Sequence, residues 1–165
     1  MSSIREVNIQ GGSAHATSTH PAPWTPDKAF SVGHNYAWHN NGDNNRLPSI
    51  VWYVFPVGQT FIPARVSFRA RQDCPSTRAC LEEGPTVWQF VGSNDPNCWQ
   101  FGDWTVLCED KSDVGYRNKA LTKYCDVDEK ILSKFRCLGI SVLNSKYARG
   151  YAAFRGVRMW KKVYS

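Results

Sequence analysis

The segment "HNYAWHNNGDNNR", residues 34–46, gathers two histidines, five asparagines, an aspartate, an arginine, a tyrosine and a tryptophan into thirteen positions. Those residue types suit the recognition of a sugar. A tryptophan offers a wide rigid face for the apolar side of a pyranose, while amides, carboxylates, imidazoles and guanidinium groups make directional bonds to hydroxyls. All four histidines, His15, His20, His34 and His39, fall in the first 39 residues. Neither pair has the HExxH spacing of a zinc protease. His34, His39 and Asp43 form an alternative metal set, since imidazole and carboxylate suit zinc or copper. Ordinary loop histidines bonded to backbone are the competing reading.

Other chemistry is poorly served. The chain has no GxSxG elbow, no P-loop and no GxGxxG. No cysteine is marked as an activated nucleophile. The paired carboxylates Glu82/Glu83 and Asp126/Asp128 read as solvated loop charges. Catalysis is therefore not expected.

The elements that must carry these residues are strands. With 165 residues the chain suits one domain, and its seven Trp, seven Tyr and eight Phe suit wide pleated surfaces. "SIVWYVFPV" is an apolar run rich in β-formers. "ARVSFRARQ" alternates: Val66, Phe68 and Ala70 face one way, and Arg65, Ser67, Arg69 and Arg71 the other. "TVWQFVGS" places Trp88 and Phe90 in a core, with Gly92 starting a turn and Asn94 and Asp95 bonding local backbone. Beyond it, Trp99 and Phe101 are candidates for exposure, and Trp104 opens "WTVLCE" as a further core residue. "FRCLGISVL" aligns Leu138, Ile140 and Val142, and "AAFRGVRMWKKV" sets Val157 and Met159 against Arg158 and Lys162. The one helical signal is "DVDEKILSKF", where Asp126 or Asp128 would cap a short turn. Many short strands between Gly, Pro and Asn clusters predict an all-β sandwich or barrel.

Six cysteines, at 74, 80, 98, 108, 125 and 137, invite disulfides. Fifteen pairings are open, and the simplest joins neighbours: 74–80, 98–108 and 125–137. The alternative is a set of buried thiols in a reduced protein. Disulfides would place the protein in an oxidising compartment, extracellular or secreted. The chain shows no signal peptide, so the cytosol is the alternative. A net charge of +6 favours acidic partners, but no RNP motif, helix-turn-helix pattern or finger spacing supports nucleic acid.

Taken in order, the motifs resemble the discoidin domain (coagulation factor 5/8 type C), a member of the galactose-binding-like superfamily. Its opening small-residue strand, proline loop and "AF…W" appear as "AHATSTHPAPWTPDKAFSVGHNYAWHN". Its apolar strand appears as "PSIVWYVFPVGQTFIPARVSFRAR", and its aromatic strand and turn as "WQFVGSNDPNCWQFGDW". Its closing strands appear as "KFRCLGISVLNSKYARGYAAFRGVRMWKK". The resemblance spans roughly residues 13–162. It implies a single jelly-roll β-sandwich over 13–165, preceded by an extension over 1–12, with long ligand-binding loops at one end. It further implies a non-catalytic recognition module, lectin-like, for a glycan or glycoprotein. Within it Trp38 would be the stacking platform, and Asn35, His39, Asp43 and Arg71 would bond the sugar, although a tryptophan after "AF" also serves to close the sandwich end. Ser31 stands where the family carries an acidic residue, which weakens the expectation of Ca2+. The second reading is an interaction or adhesion module of the same fold, using the basic face of Arg65, Arg69 and Arg71 against an acidic protein surface. Insertion of loop aromatics such as Trp24 and Tyr36 into a membrane is opposed by the amide-rich "HNNGDNN".

Overall fold

A computed structural model describes residues 2–31, 36–40, 47–72, 82–98, 102–116, 121–145 and 150–165. Two antiparallel sheets make the sandwich. β1 (Ser2–Glu6), β10 (Ala153–Tyr164), β5 (Pro63–Arg69) and β8 (Thr122–Asp126) lie in that order in one sheet, with β3 (Trp38–His39) pairing the start of β10. β2 (Ser13–Ala16), β4 (Ser49–Val54), β9 (Cys137–Ser145), β6 (Pro85–Ser93) and β7 (Thr105–Asp110) form the other. The segment expected to precede the sandwich thus supplies β1, and Val7 continues it with a bond to Met159 O. A four-residue helix, α1 (Asp27–Phe30), buries Ala29 and Phe30 beside β2 and β10.

Period-2 alternation dictates the core. Val66 and Phe68 from β5 meet Trp88 and Phe90 from β6, Leu138, Ile140 and Val142 from β9, and Val157 and Met159 from β10. Phe68 sits between the rings of Trp88 and Phe154, 4.7 Å from each. Trp88 is thus the pillar its strand pattern implies. Trp104 lies outside this core, half-buried against Trp52 in a small outer cluster with Cys98 and Cys137.

Two local expectations are corrected. Gly92 does not start a turn: β6 runs on to Ser93, because the glycine lets the Phe135 ring lie across the strand where a Cβ would come within 2.8 Å of it. The turn begins one residue later, where Asp95 N–H bonds Ser93 Oγ and Asn97 N–H bonds the Asp95 carboxylate. The neighbour pairing also fails for the four cysteines among the described residues. The bridges are Cys98–Cys137 and Cys108–Cys125. The first pins the turn after β6 to the start of β9. The second joins β7 to β8, the last strands of the two sheets on one flank. Adjacency in space follows strand order, and strand order is not sequence order. Cys74 and Cys80 lie outside the described residues.

In "DVDEKILSKF" a turn forms without a helix. Asp128 accepts from the Lys130 N–H, while Asp126 pairs with Arg65 across β5 and β8 at 2.5 Å.

Candidate recognition site at the loop end

The strands bring five chain segments to one end of the sandwich: 17–26, 36–40, 70–72, 82–84 and 150–152. The opposite end carries the turn 93–98, where β6 ends and β9 begins.

β3 organises the loop end. Trp38 pairs with Phe154 and His39 with Ala153, so alternation turns the tryptophan inward and the histidine outward. Trp38 is fully buried, its ring edge-on to Phe154 and its Nε1 donating to Ser18 O at 3.2 Å. It closes the end of the core and presents no ring face to solvent. Backbone bonds from His20 N–H to His39 O and from His39 N–H to Trp24 O hold the first loop alongside. Asn40 is fully buried, and its amide accepts from Ala152 N–H (2.7 Å) and donates to Gly150 O (3.0 Å), anchoring the loop that precedes β10.

Around His39 lies a network of charge. Its Nδ1 faces Asn40 O at 2.5 Å and therefore carries a hydrogen there. Its Nε2 lies 3.5 Å from Glu83 Oε1, and the other Glu83 oxygen accepts from Arg71 Nη1 at 2.6 Å. Glu83 is positioned by its own carbonyl, which accepts from Ala153 N–H. Both partners are sequestered, the Arg71 side chain 8% and the Glu83 side chain 12% exposed. Burial pushes the Glu83 pKa up, but His39 and Arg71 outweigh it and hold the carboxyl below its ordinary value.

Aromatic rings frame this network. Trp24, half-buried, lies under the Arg71 guanidinium at 5.9 Å and edge-on to His20 at 5.0 Å. His20 is 5.3 Å from His39, and Tyr151 is edge-on to His39 at 5.2 Å. The His20 Nδ1 atom is buried with no hydrogen-bond partner. Tyr36 is 44% exposed.

Of the residues expected to bind a ligand, His39 and Arg71 are brought together through Glu83. Trp38 is buried directly behind them. Asn35 and Asp43 lie outside the described residues, as do His34, Trp99 and Phe101. Arg71 does not share the outer face of Arg65 and Arg69. β5 ends at Arg69, Ala70 is tied to Leu121 O, and Arg71 swings over the sheet end into Glu83. Reading Glu83 as a solvated loop charge fails for the same reason. Trp24, His20 and Tyr151 escaped sequence reasoning as parts of one site, because no local pattern links positions so far apart in the chain. Among the described residues no group of three His, Cys, Asp or Glu side chains is gathered for a cation. A cavity of about 370 Å³ lies away from this cluster, beneath β1, where the Glu6 carboxylate and Arg158 already bond each other through both oxygens at 2.7 Å.

The architecture is that of carbohydrate-binding modules of family 32 and of F5/8 type C, or discoidin, domains. The chain is similar to the family 32 module of Clostridium perfringens NanJ, solved with galactose, at a TM-score of 0.68 and 16% identity over 96% of this chain and 99% of that one. It is similar to an F5/8 type C domain from Bacteroides fragilis at 0.71 and 13%, covering 98% of each chain. A chitosan-binding module of Paenibacillus sp. IK-5, solved with chitotriose, aligns at 0.60 and 14% over 90% of this chain and 94% of its own. No protein-family profile matches the chain, and no curated sequence is similar to it. At these identities the likeness establishes the fold: a discoidin-like β-sandwich.

Proposed function

We propose that this chain is a carbohydrate-recognition module whose site is the loop end built on His39, Glu83 and Arg71. One observation carries the reading. A sequestered His39–Glu83–Arg71 triad, whose geometry is held by backbone bonds, is framed by Trp24, His20 and Tyr151 at the sandwich end. Sugar hydroxyls need donors and acceptors that do not reorganise on binding, and an aromatic face beside them. Arg71 supplies N–H donors in a fixed fork, Glu83 supplies acceptor capacity, and the half-buried Trp24 takes the stacking role expected of Trp38. Solved examples of the fold include complexes with galactose and chitotriose, which supports a sugar as ligand class. Asn35 and Asp43, outside the described residues, are kept as candidates from the sequence for further bonds. Two disulfides among the described residues favour a secreted or extracellular setting. In the alternative interaction-module reading the basic face is reduced to Arg65 and Arg69, since Arg71 turns to Glu83 at the loop end.

The test is a glycan array probed with the intact chain and with Trp24→Ala and Arg71→Ala variants, each checked for folding. Selective signal that falls at least about tenfold in both variants supports the site. A blank array from folded wild-type protein would remove the carbohydrate reading.

A further inference from the structure

The flank opposite β1 is formed by β7 and β8, edge strands of different sheets that do not pair with each other. The Cys108–Cys125 bridge spans them. Two residues further toward the loop end on each strand, Asp110 and Lys123 face a cavity of about 280 Å³. Its chemistry is distinct from that of the loop end. Asp110 accepts from the Ser112 N–H (2.9 Å) and Oγ (2.6 Å). Lys123 donates to Val114 O and sits 5.5 Å over the ring of Tyr116. Tyr116 lines the inner wall, and its phenolic oxygen is buried with no hydrogen-bond partner. Such a group costs free energy until something bonds it. At the rim Tyr124 is 65% exposed. The Arg65 guanidinium lies 5.7 Å from its ring, and Asp126 holds Arg65 in turn.

We propose that this cleft is a second binding site, taking one neutral sugar ring or a polyol of similar size. Tyr124, steadied by Arg65, stacks the apolar face of the ring. Asp110 accepts from ligand hydroxyls, Thr122 and Ser112 bond in either sense, and the Tyr116 hydroxyl gains the partner it lacks. Neutrality follows from the opposed charges of Asp110 and Lys123 in one cleft. Size follows from a volume just under the ~300–1,000 Å³ of sites for drug-sized ligands. The inference rests on the flank residues alone and does not need the loop-end site to bind anything.

The test is a 15N–1H NMR titration of the full chain with galactose, glucose and N-acetylglucosamine, each into the tens of millimolar. At least one sugar is expected to shift amides of residues 110–116 and 122–125 saturably. Tyr124→Ala should weaken that response at least about fivefold, and Trp24→Ala should leave it unchanged. Tyr116→Phe removes one oxygen and keeps the ring. It should weaken the response without lowering the melting temperature, which a purely structural phenol would not do. If Tyr124→Ala does not fold, Tyr116→Phe decides alone. The proposal is overturned if no sugar shifts the flank saturably, if the response survives both tyrosine variants, or if Trp24→Ala abolishes it. Shifts confined to residues 20–24, 39, 71 and 83 would overturn this second site while sustaining the first.

Discussion

Trp38 and His39 are neighbours in a two-residue strand, and that strand's pleat decides their roles. One side chain completes the core against Phe154, and the other, itself buried, meets Glu83 at the end of the sandwich. Trp38→Ala should therefore act on the fold. Removing a fully buried indole costs roughly 3–5 kcal/mol, readable as a lowered urea midpoint, with binding per folded molecule largely kept. A folded Trp38→Ala protein of wild-type stability that has lost all sugar binding would contradict this placement. Glu83 carries the pH dependence. Burial raises its pKa, while His39 and Arg71 lower it by more, so the folded value lies below the unfolded one. Its contribution is complete above the ordinary carboxylate pKa of about 4.3 and is lost as pH falls through the depressed folded value. Glu83→Gln, which leaves the Arg71 charge without its counterion, should cost about 1–3 kcal/mol at neutral pH. The gap between wild type and variant should close as pH drops toward 3. Melting curves across that range decide it, and a gap constant with pH would mean Glu83 titrates no differently on folding.

At the scale of elements, alternation was readable wherever a strand has one buried face. Val66/Phe68, Leu138/Ile140/Val142 and Val157/Met159 all point inward as their spacing implies. Reading failed where a residue's role depends on a distant element. Gly92 resembles a turn residue until Phe135 is laid across it, and no local signal announces that ring. Cysteine pairing failed likewise, since 98–137 and 108–125 follow which strands lie side by side. Each bridge closes a chain loop, of 39 and 17 residues respectively. Loop-closure entropy predicts about 4 kcal/mol for the first and about 3 kcal/mol for the second. Cys98→Ser/Cys137→Ser and Cys108→Ser/Cys125→Ser double variants should fall in that order in denaturant midpoint. A non-reducing peptide map should recover the 98–137 and 108–125 linkages. Recovery of 98–108 instead would be incompatible with this strand order.

Across the whole molecule, the legible and the illegible parts divide by sequence distance. The sandwich follows from patterns within single strands. The site draws on residues 20, 24, 39, 71, 83 and 151, which converge only because β3, β5, β6 and β10 end or begin at the same place. His39 and Arg71 were identifiable by type. Glu83 was not, because its burial depends on Ala153 and Arg71 reaching it from elsewhere in the chain. The molecule's net charge of +6 then sets a further test, because a cationic protein can hold acidic glycans by its general field alone. At the proposed site the Arg71 guanidinium is paired with Glu83, so binding there is carried by hydrogen bonds and stacking, which salt screens weakly. Raising NaCl from about 50 mM to 500 mM shortens the Debye length from roughly 14 to 4 Å. Titration calorimetry with a neutral sugar selected from the array should then show less than about a twofold change in Kd. A loss of tenfold or more, or binding restricted to sulfated and sialylated glycans, would move recognition away from the triad. It would place recognition on exposed cations such as Arg69, on the outer face of β5.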